Sequence, residues 1–260
     1  MAVLRRGPTD WFHVGRWDVA ADSYEAGSWF HGRLFPQKCD LSPDGRWLAY
    51  SAMKQWAGWP AGEIYEAISR LPWLTALAAW EAGTTYTRGI HFDGDVGACQ
   101  AGDADVGDPS PALRRYGIKL YGRNQFAVER RRGWRESPDT QDRATGGHWD
   151  EQRKVEMVKV QPGIGPDMTL HVTGGYAGFR ELPSYYDPAE YFLEAGGEIQ
   201  VLDDVQWADW DALGRLLAAT KLGHLQIRVY DRFDHGVVFE EDLAAMAPDP
   251  QPPPEWAAEW

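Results

Sequence analysis

Residues 41–52 read "LSPDGRWLAYSA", and the chemistry of Ser42 to Gly45 decides the fold class. Pro43 holds φ near the value that a turn requires at its first central position, Asp44 tolerates the bend, and Gly45 supplies the positive φ of a tight reversal. A strand has to follow. Past Arg46, Trp47, Ala49 and Ser51 fall on one side of an extended chain, and Leu48, Tyr50 and Ala52 on the other. Both sides carry apolar residues, the pattern of a strand in a sheet packed on both faces.

The unit recurs along the chain. "GRLLAATKLGHLQIRVY" from Gly214 repeats the Gly-Arg, the apolar residues and the Ala. "GRNQFAVERRRGW" from Gly122 keeps Gly-Arg with one extra residue before Phe126-Ala127, and "PDMTLHVTGG" at 166–175 keeps the Pro-Asp. "LPWLTALAAWEAGTTYTRGIHF" from Leu71 keeps an apolar strand, a glycine turn and a second strand. In "LGHLQIRVYD", Leu225, Ile227 and Val229 alternate with Gln226, Arg228 and Tyr230, which predicts a strand with one solvated face at the edge of a sheet.

Repeat periods identify stacked architectures. The steps from Gly45 to Gly122 and from Gly122 to Gly214 are each about twice the length of a four-stranded propeller blade. The expectation is an all-β fold, a small β-propeller of five or six irregular four-stranded blades spanning residues 1–247 as one domain, with a Pro-rich tail at 248–260. Radial closure hides the sheet edges that short strands otherwise expose. "LSPDGRWLAYSA" resembles the Ser-Pro-Asp-Gly-x-x-Leu-Ala core of the TolB-type β-propeller repeats, which are similar to WD repeats. "WADWDALGRLLAAT" at 207–220 resembles the Asp-x-x-Gly-x-Leu-x-x-Ala version found in many propeller enzymes and scaffolds. The resemblance implies a fold rather than a chemistry.

Composition bounds the function. With 43% hydrophobic and 25% charged residues the chain has the balance of a soluble globular protein. A net charge of -13 argues against nucleic acid or an anionic membrane as partner, since both call for a basic surface. The stretch 115–135 is a local basic exception, with Arg130, Arg131 and Arg132 expected at a hairpin end. Cys39 and Cys99 lack the spacing of a disulfide framework, a zinc site or a redox motif. The first residues contain no apolar leader core, and no run of apolar residues is long enough to span a bilayer, so the expected location is cytoplasmic.

Function is sought in the segments that interrupt the repeat, because loops on a rigid sheet carry contacts. The segment 94–111 brings Asp95, Asp103, Asp105 and Asp108 close in sequence, but without the spacing of a calcium loop. No metal or cofactor is expected. Two other insertions pair aromatic rings with polar groups: 53–67, with Trp56, Trp59 and Tyr65, and 179–192, with Tyr185, Tyr186 and Asp187. Such rings suit contact with a protein partner, a small polar ligand or a sugar, or they cover the end of the propeller. Trp56, Trp59, Tyr185, Tyr186 and Asp187 are therefore the candidate ligand-binding residues.

Recognised catalytic motifs are missing from the sequence, and His91 and His171 fall in strand patterns where a satisfied histidine is ordinary. The reading is a non-catalytic binding or assembly module. The alternative is a propeller-fold hydrolase or lyase acting on a carbohydrate, with a carboxylate such as Asp187 or Asp211.

Overall fold

The computed structural model describes all residues except 55–57, 86, 88, 93, 95–102, 121–126, 138–152, 164–167 and 177–188. They form two compact units, one of Met1–Gln125 with Met246–Trp260 and one of Phe126–Ala245. In the first unit β1 (Ala2–Arg6), β2 (Trp11–Asp18) and β3 (Ser23–His31) make an antiparallel meander. A second sheet begins with β4 (Arg33–Leu34) and β5 (Asp40–Leu41), both paired to β6 (Trp47–Met53), and continues through β7 (Ile64–Arg70) and β8 (Ala76–Glu81). After β9 (His91–Phe92), β10 (Val106–Gly107) closes its far edge against β8; α1 (Ser110–Tyr116) and β11 (Ile118–Lys119) follow, β11 pairing with β9.

The second unit opens with α2 (Ala127–Arg131). One of its sheets is β12 (Arg135–Glu136), β13 (Arg153–Val160), β14 (Met168–Tyr176), β15 (Glu190–Ala195) and β16 (Glu198–Val201), in that order. The other is β17 (Val205–Trp210), β18 (Leu216–Thr220), β19 (His224–Asp231) and β20 (Asp234–Asp242).

These are the up-and-down sheets that propellers use as blades, and their packing follows the sequence pattern. On β6, Leu48, Tyr50 and Ala52 enter a core shared with Phe12, Val14 and Phe30 of the first meander. Trp47 and Ala49 on the other face enter a second core with Phe92, Ala112 and Ile118. In the second unit Met157, Leu170 and Leu193 of one sheet pack against Ala208, Trp210, Leu216 and Ala218 of the other. Burial of such side chains, about 1.5–3 kcal/mol each, supplies the main drive for the stacking.

The all-β class and the blade-like sheets agree with the sequence reading; the blade number does not. Among the described residues four sheets have three or more strands, and β9 and β11 form a separate two-stranded pair, so five or six four-stranded blades are not formed. Two of the presumed repeats are spent otherwise. In the copy from Gly122, Ala127–Arg131 is helical, as suits a run of Ala, Glu and Arg. Arg130 and Arg131 therefore end a helix rather than a hairpin. In the copy from Leu71, β9 pairs with β11 and not with β8, so it starts no new blade.

The strand at 224–231 also departs from its expected alternation. Its register with β18 is unbroken and sets Gln226, Arg228 and Tyr230 on the face of Leu216 and Ala218, while the pairing with β20 skips Val238, a bulge in the partner strand. Ile227 is buried, but Val229 is exposed and Tyr230 turns into the core. The sheet edge is β20, not β19. Residues 248–260 lie against the first unit, with Ala257 fully buried. Among the described residues no helix is long and apolar enough to cross a membrane.

Candidate functional site

In the second unit the sequence "VQWADW" of β17 sets an acidic residue among tryptophans. Its register shifts between Val205 and Trp207. Ala208 and Trp210 fill the core, Trp207 stays half-buried, and Asp209 is buried at 7% exposure. A buried carboxylate needs a partner. Lys159 of β13 supplies it, its Nζ donating to Asp209 Oδ1 over 2.6 Å. The backbone N–H of Trp210 donates to the same oxygen at 2.8 Å. The two strands are tied twice more: Lys159 Nζ donates to the Trp210 carbonyl at 3.4 Å, and the Trp210 indole N–H to the Lys159 carbonyl at 3.2 Å.

Asp209, held by Lys159 from behind, is one of the residues that line a small, shallow cleft. Val128 and Glu129 of α2, with Arg132 and Trp134 just after it, make one side. Val172 of β14, Tyr191 of β15 and Trp207 of β17 make the other. Burial pushes the Asp209 carboxyl above the usual carboxylate range, and the hydrogen bonds and charge of Lys159 pull against it. Burial also raises Tyr191, so its phenol stays protonated at neutral pH. The cleft is lined by the half-buried Trp207 ring and the edges of the buried Trp134 and Tyr191, with the Asp209 carboxylate and the exposed Arg132 beside them.

Of the residues singled out from sequence, Trp59 is half-buried against the first unit's core. Its ring lies 5.9 Å from that of Tyr65, and its carbonyl accepts the Gly62 N–H at 3.0 Å. Trp56, Tyr185, Tyr186 and Asp187 lie outside the described residues, as does Cys99. Asp211 serves its own turn, accepting from the backbone N–H groups of Leu213 and Arg215 and from the Arg215 side chain.

His171 sits between two carboxylates, with Nδ1 2.8 Å from Glu156 and Nε2 3.0 Å from Glu194. His91 is buried on β9. Cys39 is a buried thiol that burial pushes up to about 12, which keeps it protonated and unreactive. In the acidic segment Asp105 accepts the Glu81 N–H, and Asp108 accepts from the N–H and hydroxyl of Ser110. No group of three or more potential metal ligands occurs among the described residues.

The sequence reading passed over Lys159, Asp209, Tyr191 and Trp207. One signal was available: an acidic residue between tryptophans on a strand is buried beside an apolar face, and buried charge implies a cation nearby. Which cation, some fifty residues away, is decided by sheet stacking. No family model, curated protein or solved structure matches the chain.

Proposed function

We propose that the chain is a binding or assembly module built from β-propeller blades of the TolB-like type, holding a small polar ligand or a partner's side chain in the Trp207–Asp209 cleft. The observation that carries this reading is Asp209, buried in an ion pair with Lys159 and lining a small depression together with Trp134, Tyr191 and Trp207. For stability alone, apolar residues of similar volume would serve as well or better than a buried ion pair. Beside the half-buried Trp207, the Asp209 carboxylate fixed by Lys159 orients the hydrogen bonds of whatever enters. The net charge of -13 favours partners other than nucleic acid and anionic membranes.

The test is a thermal-shift screen of monosaccharides, amino acids and short peptides. A true ligand at about a hundred times its Kd adds roughly 2.7 kcal/mol of stability. The shift should vanish in Trp207→Ala, whose own melting temperature stays close to wild type. A ligand that stabilises wild type and Trp207→Ala equally would refute the site.

A second reading, a carbohydrate hydrolase or lyase, draws support from Glu129 and Asp209 lining the same cleft. It requires turnover of an oligosaccharide that Asp209→Asn abolishes while binding persists. Binding without turnover favours the module.

A further inference from the structure

The proline-rich C-terminal segment reads as a ligand for another domain, yet it is already seated on one. Residues 248–260, "PDPQPPPEWAAEW", carry Asp249, Glu255 and Glu259 and no basic residue. Their last turn, Glu255–Ala258, rests on a surface built by β6, β7 and α1. Trp47 and Arg70 are direct partners across β6 and β7, so their side chains share one face. The Trp260 ring meets the Trp47 ring edge-on at 5.1 Å. Tyr116 of α1 meets Trp47 from another side at 5.7 Å, and the Arg115 guanidinium lies 5.7 Å over the same indole. Arg70 covers the Trp256 ring at 5.0 Å and donates from Nη1 to the Trp256 carbonyl at 3.0 Å. Ala257, between the two tryptophans, is fully buried.

This is side-chain anchoring rather than strand pairing. Among the described residues the Arg70 bond alone ties the backbone of 248–260 to the rest of the chain; the other backbone hydrogen bonds of the segment are its own, Ala257 to Pro254 and Glu259 to Trp256. Trp256 remains 37% exposed. Two tryptophans of a short turn seated on an indole and a guanidinium are the kind of aromatic anchors by which peptides dock in grooves. Segments fixed by few buried contacts open at low cost without global unfolding.

We propose that the Trp47–Arg70–Arg115–Tyr116 surface is a peptide-docking groove, filled in cis by residues 248–260. The partner it fits is a protein carrying an exposed turn of the same chemistry, with two tryptophans four apart to meet Trp47 and Arg70. The tail is then a latch. Tethered at an effective concentration in the millimolar range, it excludes weak ligands and yields to a segment that binds better. The groove is separate from the second unit's cleft, so its failure leaves that reading untouched.

The experiment uses full-length protein and a fluorescein-labelled peptide of residues 248–260. Trp256→Ala with Trp260→Ala detaches the latch. The double variant should bind the peptide saturably and at least about tenfold more tightly than wild type, and adding Arg70→Ala should abolish that gain. No binding to a double variant that still melts cooperatively, or equal binding to both proteins, overturns the proposal. Should the double variant fail to fold, hydrogen exchange on wild type decides. The amides of Ala257 and Glu259 exchanging well ahead of those of β7 support a latch that opens alone, and exchange only at the global rate overturns it. A wild-type dimer in sedimentation whose tails are exchanged between copies would also overturn the cis assignment.

Discussion

The hairpins at 41–48 and 210–217 carry nearly the same instructions and obey them differently. In both, a glycine takes positive φ, +72° at Gly45 and +78° at Gly214, and donates its N–H to the residue three back, Ser42 or Asp211. In the second hairpin the Asp211 N–H donates to the Arg215 carbonyl. In the first, the Ser42 N–H reaches one residue further, to Trp47, and the Ser42 hydroxyl accepts the N–H groups of Arg46 and Trp47. A short hydroxyl absorbs an extra loop residue, while a carboxylate gathers Leu213 and Arg215 into a tighter loop. The surroundings differ as well. Beyond the first turn, β6 lies between two cores, and Tyr50 is 1% exposed; the equivalent Ala219 of β18 is only half-buried. A repeat motif therefore specifies a turn and a strand, and the neighbouring layers decide how much stability each copy carries.

The largest expected effect tests this asymmetry in packing. Tyr50→Ala removes a buried ring that meets Tyr65 edge-on, at about 4 kcal/mol by analogy with other large-to-small changes, whereas Ala219→Tyr should cost less than about 1 kcal/mol. Chemical denaturation measures both, and comparable losses would mean that β18 is covered on both faces like β6.

The two glycines come next. A methyl group on Gly45 meets nothing within 4 Å, but on Gly214 it would lie 2.5 Å from the Pro162 carbonyl oxygen. Gly45→Ala should then lose only the cost of a left-handed non-glycine residue, about 1–2 kcal/mol. Gly214→Ala adds a backbone shift, for about 3 kcal/mol in all. Equal changes in melting temperature would show that the Pro162 contact relaxes freely.

Smaller still is the difference between the residues that open the turns. Asp211→Ala loses charge-assisted hydrogen bonds and the 2.7 Å contact with Arg215, at about 2 kcal/mol, against about 1 kcal/mol for Ser42→Ala. The reverse order in urea midpoints would assign the tighter turn to its glycine instead.

The smallest effect depends on pH. Burial works against the charge of Asp44, but hydrogen bonds from Ser42, Tyr116 and Arg46 and the charge of Arg46 outweigh it and hold the carboxyl below its usual 3.8. A depressed folded-state pKa gives stability that is present above 3.8 and is lost as pH falls through the lower folded value. Asp44→Asn should therefore narrow the stability gap to wild type only in strong acid. A gap that narrows already between pH 7 and 5 would place the responsible group elsewhere.

Legibility varied with the range of the information. The turn at 42–45, the two-sided burial of β6 and the matching copy at 210–220 were readable, because turn chemistry and period-two alternation are local. The helix at Ala127–Arg131 was hidden by a Gly-Arg that looked like another repeat, although its helix-forming residues were in view. Which face of β19 meets the core was not readable: Leu225 and Ile227 look inward by hydropathy, but the stacking of the sheets puts Arg228 and Tyr230 on the side of Leu216 and Ala218. The cleft was the least visible. Its parts come from α2, β13, β14, β15 and β17, and only Asp209 among the tryptophans hinted at it.

The sequence by itself determined that the chain would be a set of short antiparallel strands joined by glycine turns and acidic overall. Those properties follow from neighbours in the chain, whose φ preferences and alternation act within a few residues. Only the tertiary structure decided that the sheets of three or more strands number four among the described residues, that Lys159 meets Asp209, and that the C-terminal tryptophans settle on Trp47 and Arg70. Each of these depends on which layer stacks on which. A contact between residues fifty or two hundred positions apart is set by the burial of whole faces, and no local propensity encodes its partner.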